Sequence, residues 1–250
     1  MKKNFFKSAE FYQSIYNQKD YSYESAFILK LLKKRNIFSG NMIEFGSGIG
    51  SHAKYLNLKS PFFIEGYELS HSMLISSYKS KKFKPNLGDM RFSGKSNYYD
   101  CGISVFHVMS YLYKEHDLNL FFKNLYRVLK PRALFFFDYW SELDFKNKKS
   151  DGEPKTFTNK KQIIKRSTFV HQTKYKKTLK ILFKYSIKTL SHDFIGKFQE
   201  THYMRSFSDK DIFDLLNKHG FKLIKKGYFP EKKIFNNHNY RYSLIQKNVQ

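Results

Sequence analysis

Two rhythms of apolar and polar residues divide the chain. Short apolar runs recur at 42–45, 62–67, 103–106 and 133–137, closed by glycine or charged residues, and read as buried strands, with 85–87 as a further short strand candidate. Helical patterns lie between them. One begins at 52–56, and a second is capped by Ser70 and runs through Met73, Leu74 and Tyr78. A third, over 117–129, places Leu118, Phe121, Phe122, Leu125 and Leu129 on one face and stops before Pro131, which cannot continue a helix. Strands alternating with helices predict an α/β fold built on a parallel, doubly wound sheet. Ahead of the first strand, Ala26, Phe27, Ile28, Leu29, Leu31 and Leu32 form a further helical pattern ending in a basic cluster. Before it lies a tyrosine-dense polar stretch, 11–21, which is either a surface helix with aromatic anchors or a lid over a ligand.

The rhythm changes at Ser141. Leu179, Ile181, Phe183, Tyr185 and Ile187 alternate mostly with Lys180, Lys184, Ser186 and Lys188, the period of an antiparallel strand with one polar face. Residues 165–173 and 197–206 are its expected partners. Segment 141–205 is therefore read as a β-rich insertion standing over the strand ends. Ser208 and Gly220 bound a last helix, and 221–229 with 240–246 form a final pair of strands at the sheet edge. The expected organisation is a helical lid over 1–40, a main domain from 41–140 and 206–250, and a cap over 141–205.

Composition adds limits. Hydrophobic residues make up 41% of the chain and aromatics 19%, ample for a packed core. The single Cys101 excludes an intrachain disulfide framework and a cysteine-rich zinc site, and its apolar neighbours mark it as a small buried side chain. No apolar run approaches the ~20 residues that span a bilayer. The basic start, 1–7, lacks the apolar core of a secretion signal, so a cytoplasmic location is expected. Lys and Arg number 46 against 21 Asp and Glu, a net charge of +25. That balance favours nucleic acid, anionic membrane or phosphorylated molecules as partners. The lysines are spread among aromatics, however, and Lys, Asn, Ile, Phe and Tyr are abundant together, as an A+T-rich genome dictates. Compositional bias is the simpler reading, since a basic pI is only the first step towards a nucleic-acid footprint.

Candidate chemistry centres on Glu44-Phe45-Gly46-Ser47-Gly48-Ile49-Gly50, where the first strand enters a helix. Glycines there permit positive φ and let a ligand approach the backbone, and a helix start presents free N–H groups. The second strand ends in Glu68, about twenty residues on, where a nucleotide-binding βαβ unit sets a carboxylate against ribose hydroxyls. Together with Gly66-Tyr67-Glu68-Leu69-Ser70, Gly88-Asp89-Met90 and Leu129-Lys130-Pro131, these motifs resemble the class I S-adenosylmethionine-dependent methyltransferases over about residues 10–247. A dinucleotide dehydrogenase would show Gly-x-Gly-x-x-Gly, whereas here Gly50 is the third glycine and Ser51 follows.

The resemblance implies a Rossmann-like, seven-stranded methyltransferase sheet with the insertion as a cap. It implies S-adenosyl-L-methionine as cofactor and S-adenosyl-L-homocysteine as product. Gly46 and Gly48 would pass close to the methionine part. Glu44 would reach its ammonium or else orient the turn. Glu68 would accept the ribose hydroxyls. Leu69 would lie beside it, Asp89 would accept the adenine amino group, and Met90 would offer a backbone N–H to the ring. Phe106 would lie near the sulfonium, with Tyr12 and Tyr21 closing over the cofactor. His107, next to Phe106, reads as a packed histidine rather than a base.

A narrower resemblance follows from Tyr12…Tyr16…Lys19-Asp20-Tyr21, Ser110-Tyr111-Leu112 and the stretch Phe198-Gln199-Glu200-Thr201-His202-Tyr203-Met204-Arg205-Ser206-Phe207-Ser208. These are similar to the nucleotide-linked aminosugar N-methyltransferases, which act on the amine of a dideoxy-aminosugar joined to a nucleoside diphosphate. The insertion here is far more basic, and Arg132 stands where glycine is usual. An amine must be neutral to attack, so Tyr111, Glu200 and His202 are the catalytic candidates for taking its proton or holding its lone pair in line. Glu200 and His202, two apart, share one face of a strand. Tyr16, Arg166 and Arg205 are expected to bind substrate, with Lys165 and Lys197 as further attractors of a diphosphate. The expected partner is a small anionic molecule, methylated on nitrogen rather than oxygen, with no metal. A homodimer is compatible with the sequence. The alternatives are an RNA or protein methyltransferase and a non-catalytic cofactor-binding protein. Against the first, no RNA-binding module is added, and Val105-Phe106-His107-Val108 stands where an Asn-Pro-Pro-Tyr tetrapeptide would be. Against the second stand the intact glycines with Glu68 and Asp89.

Overall fold

The computed structural model describes residues 7–142, 152–175, 177–229 and 240–249. In chain order a 3₁₀ turn (Ser8–Phe11) leads into α1 (Tyr12–Ile15), α2 (Tyr21–Lys33), β1 (Asn41–Phe45), α3 (Ser51–Lys59), β2 (Phe63–Glu68), α4 (His71–Ile75), β3 (Phe83–Leu87) and β4 (Tyr99–Ser104). A second 3₁₀ turn (Val108–Tyr111) precedes α5 (Glu115–Val128) and β5 (Leu129–Tyr139). Then come β6 (Lys155–Thr158), β7 (Gln162–Gln172), β8 (Thr178–Thr189) and β9 (Phe194–Arg205), followed by α6 (Asp209–Lys218), β10 (Phe221–Phe229) and β11 (Tyr240–Lys247).

The main sheet runs β10-β11-β5-β4-β1-β2-β3. β11 is antiparallel to both neighbours, and the other adjacent pairs are parallel. Period-two alternation explains how one strand serves two cores. Ala133, Phe135, Phe137 and Tyr139 of β5 pack with Leu118, Phe121, Phe122 and Leu125 of α5 and with Ile212 and Leu216 of α6. Leu134 and Phe136 face the other way, towards Phe27, Ile28, Leu31 and Leu32 of α2 and Ala53 and Leu56 of α3. The sheet is thus covered by helices on both faces, which parallel strands require. This is the Rossmann-like fold that the strand–helix alternation implies.

Several local details differ from the sequence expectation, and the first is that β4 runs Tyr99–Ser104 rather than 103–106, so Val105 and Phe106 lie past its end. β5 starts at Leu129 rather than 133, because α5 ends at Val128 and its C-cap residue is already extended. α4 stops at Ile75, and Tyr78 leaves the helix to stack on Phe83 at 6.0 Å. The N-terminal tyrosine-rich stretch is two short turns rather than one helix. Ser208 and Asp211 form the expected capping box at the start of α6.

The second sheet, β6-β7-β8-β9, is wholly antiparallel and forms the cap. Its inner face packs Ile164, Tyr185 and Ile187 on Phe11 and Ile15 of the N-terminal segment. Leu179, Ile181 and Met204 of the same face pack on Trp140 beyond β5. Among the described residues no helix is long and apolar enough to cross a membrane.

Candidate cofactor and acceptor site

The chain leaves β1 for β2 and β3, then returns to β4 on the other side of β1. Such a switch point leaves a crevice at the carboxyl ends of the strands where ligands bind. Here the cap and the N-terminal turns roof it, giving a cavity of about 1420 Å³.

On the β1–β3 side the wall is the glycine turn. Gly46 and Gly48 have φ of 69° and 56°. A Cβ built on Gly48 meets nothing within 4 Å, so the backbone there faces open space. Gly48 N donates to Glu68 Oε2 at 2.9 Å and Ser70 N donates to Oε1 at 2.8 Å. These two N–H groups fix the carboxylate on the cavity wall, while burial pushes its pKa up. Glu44 lies just behind the turn, 1% exposed. Its Oε1 is 4.0 Å from His52 Nδ1, and its Oε2 has no hydrogen-bond partner among the described residues. Burial, with Glu68 nearby, pushes its pKa to about 8. A buried carboxyl with an unpaired oxygen, beneath a turn that leaves space for a ligand, fits a molecule carrying an ammonium group.

Further along, Leu69 exposes apolar surface to the cavity and Met90 lines it. Asn124 Nδ2 holds Met90 O at 2.9 Å. Asp89 is gripped by Arg91, whose Nε and Nη2 donate to its two oxygens at 3.0 and 2.6 Å. Arg91 also pairs with Asp117. The Arg91 hydrogen bonds outweigh burial and hold the Asp89 pKa down. The Arg91 backbone N–H donates to Oδ1 as well, at 3.0 Å, so three N–H groups occupy all but one of the about four lone-pair sites of the carboxylate, and that one is left for an amino group.

The N-terminal segment closes this side. Lys19 pairs with Glu24, and Glu24 Oε2 is 2.7 Å from His52 Nε2 at the start of α3. The Tyr21 ring meets His52 edge-on at 5.0 Å. Tyr12, Tyr16 and Phe106 form an aromatic cluster, with Tyr16 edge-on to Phe106 at 5.0 Å.

On the β4–β5 side the cavity is lined by Tyr111, Trp140, Ile181, Phe183, Met204 and Tyr240, beside Phe106 and His107. Tyr111 Oη is 2.8 Å from His202 Nδ1. Arg166 reaches in from β7. Its Nη1 donates to Tyr16 Oη at 3.1 Å, and its guanidinium lies 5.2–5.5 Å from the rings of Tyr16, Phe157 and Phe183. Arg166 has no carboxylate within ion-pair distance among the described residues.

Residues 43–137, which carry this wall from β1 to β5, match a family described as a methyltransferase domain. That stretch is a methyltransferase domain. This methyltransferase is 26% identical, over 74% of each chain, to YqeM of Bacillus subtilis, a protein named as a methyltransferase. It is similar in fold to an S-adenosylmethionine-dependent methyltransferase from Clostridium acetobutylicum, with a TM-score of 0.77, 18% identity and 97% and 98% of the two chains covered. An amino pentose methyltransferase from Micromonospora echinaspora, solved with S-adenosylmethionine bound, gives a TM-score of 0.75 at 14% identity over 95% and 97% of the chains. A sugar N-methyltransferase from a Streptoalloteichus species gives 0.76 at 14% identity over 96% and 92%.

The methyltransferase places most expected site residues on one cavity. Tyr12, Tyr16, Tyr21, Gly46, Gly48, Glu68, Leu69, Asp89, Met90, Phe106, Tyr111 and Arg166 line it. Others do not. Glu44 is behind the turn and receives no turn N–H among the described residues. His202 is fully buried behind Tyr111, and Glu200 is behind His202. Glu200 accepts from Lys7 N and Ser8 N at 3.0 Å and from Ser8 Oγ at 2.6 Å, so it anchors the N-terminal segment rather than facing the cavity. Arg205 lies over Phe207 at 4.8 Å, off the wall. Lys165 and Lys197 share the outer, exposed face of the cap through Ser186, opposite to Arg166. Lys165, Lys197 and Arg205 fall on the register positions opposite to Arg166, Ile181 and Met204, and none of the three lines the cavity. Ser47, His107, Trp140, Phe183 and Tyr240 line it without standing out in the sequence as binding residues. Trp140 follows a strand's carboxyl end, and that position is the one signal the sequence offers for it.

Proposed function

We propose that this methyltransferase acts on the amine of a small, negatively charged acceptor of the nucleotide-linked aminosugar class. The observation that carries the reading is Arg166. It is a guanidinium without an acidic partner among the described residues, set among aromatic rings on the inner face of the cap. A planar fork of donors between rings suits a phosphate or carboxylate joined to a ring system. Fold similarity to an amino pentose and a sugar N-methyltransferase supports the same class.

The cofactor supplies a sulfonium methyl group, an electrophile that needs no activation. Gly46, Gly48, Glu44, Glu68, Asp89 and Met90 would hold it. The chain's remaining task is to align the acceptor and exclude water. Burial raises the Tyr111 pKa well above its ordinary value, so the phenol keeps its proton. It donates that proton to His202 Nδ1, and its oxygen accepts an N–H of the amine, which aims the nitrogen lone pair. Glu200 Oε2, 3.7 Å from His202 Nε2, holds the imidazole in that tautomer. Tyr111 is thus the catalytic contact, and His202 and Glu200 position it. Nitrogen is the accepting atom in this arrangement.

Replacing Arg166 with methionine keeps the apolar stem and removes the charge. The KM for a nucleotide-linked aminosugar should rise about tenfold or more, the loss of a charge-assisted hydrogen bond, while the KM for the free aminosugar stays within about twofold. Equal changes for both acceptors would exclude Arg166 as the anion anchor.

A further inference from the structure

If Tyr111 holds the amine without taking its proton, another group must take it. Among the described residues three histidines line the cavity, namely His52, His71 and His107. His52 is committed to Glu24 beneath the glycine turn, and His71 opens α4 on the cofactor side. His107 alone stands at the end of β4, in the acceptor half.

Its setting is unusual in two ways. Phe106 and His107 have φ of 68° and 61°, two successive side-chain-bearing residues in the left-handed region. Residues held there against preference cluster at functional sites, where the surroundings over-determine them. The group that holds this turn is Asp138 near the end of β5, 1% exposed. Its Oδ1 accepts the His107 N–H at 2.8 Å, and its Oδ2 is 3.6 Å from His107 Nδ1. His107 is its only ion-pair partner among the described residues. The imidazole packs on Tyr240, ring centroids 3.6 Å apart, and lies 5.8 Å from Trp140.

The geometry points to His107, backed by Asp138, as the proton acceptor for the substrate amine. This rests on the amine reading above. The Asp138 carboxyl beside Nδ1 favours the hydrogen on that nitrogen, which makes the buried Nε2 the acceptor. One N–H bond of the substrate ammonium breaks, and its electron pair stays on nitrogen as the attacking lone pair. The proton bonds to Nε2, and Asp138 balances the imidazolium charge. The proton passes to solvent when product leaves. Burial pushes the Asp138 pKa to about 7, against the lowering effect of the His107 N–H. Among the described residues the other titratable and charged groups near the pair are Tyr240 from β11, which packs on the imidazole, and the N-terminal Tyr12, Tyr16, Lys19 and Glu24. Tyr12, Tyr16 and Lys19 touch the neighbouring Phe106 ring, and Lys19 and Glu24 bear on Asp138.

The test uses the full chain, S-adenosylmethionine and a nucleotide-linked aminosugar, with kcat measured from pH 6 to 10 for wild type, His107→Gln and His107→Asn. At pH 7 both variants should lose at least about tenfold in kcat. The deficit should shrink about tenfold per pH unit towards the amine's own pKa, because the free base then arrives without an acceptor. Unaltered S-adenosylhomocysteine affinity by calorimetry shows that the variants are folded. In the protein without acceptor, Asp138→Asn should lower the His107 pKa read from imidazole NMR. A deficit that is constant with pH, or a His107 titration indifferent to Asp138→Asn, overturns the assignment. Wild-type protein that methylates hydroxyls or RNA but no amine overturns the amine reading itself, and this inference with it.

Discussion

Gly48→Val is expected to remove S-adenosylmethionine binding while leaving the fold in place. The Gly48 φ of 56° is strained for a β-branched residue, which costs about 1–3 kcal/mol. A Cβ at this position meets no protein atom within 4 Å, so nothing in the core need move. A chain of this length should then lose up to about 10 °C in Tm. The branched side chain would instead fill the space over the turn and disturb the Gly48 N–H that fixes Glu68. Affinity should fall ~10²-fold or more, about 3 kcal/mol, with Gly48→Ala intermediate. Calorimetry beside thermal melting separates the two effects. A valine variant that binds within a factor of two of wild type would show that the ligand lies elsewhere.

Tyr111→Phe is expected to lower kcat ~10²-fold through lost alignment and to leave the cofactor Kd unchanged. The ring stays in the wall, and only the hydroxyl that meets His202 Nδ1 at 2.8 Å is removed. Because the phenol is not the group that takes the proton, the shape of the pH profile should match wild type, in contrast to His107→Gln. Wild-type turnover in this variant would exclude the hydroxyl from the chemistry. A deficit that vanished at high pH would make Tyr111 the proton acceptor instead.

Much of the fold is legible in the sequence because its signals are local. The apolar runs, the Ser208 cap and the edge pair of strands each follow from a handful of neighbouring residues, and the glycine turn with Glu68 marks one wall of the cavity. The features that the sequence hides depend on register or on distant partners. Arg166 and Lys165 are adjacent and equally basic, and only the pairing of β7 with β8 decides which one faces inward. Glu200 and His202 do share a face, but spacing cannot show that Tyr111 stands between them and the cavity or that Ser8 occupies the carboxylate. The contacts of Glu24 with His52 and of Asp138 with His107 join residues 28 and 31 positions apart, on elements whose packing the spacing does not encode. His107 reads as a packed residue for that reason, since the carboxylate beside it belongs to another strand.

On the proposed reading one cavity joins S-adenosylmethionine to a small anionic amine. The direct measurement is to incubate the purified protein with methyl-labelled cofactor and, separately, a panel of nucleotide-linked aminosugars and bulk cellular RNA, then follow the label. Label in a nucleotide-linked aminosugar, on nitrogen and absent from RNA, is the predicted result. Label in RNA and in none of the sugars would contradict it.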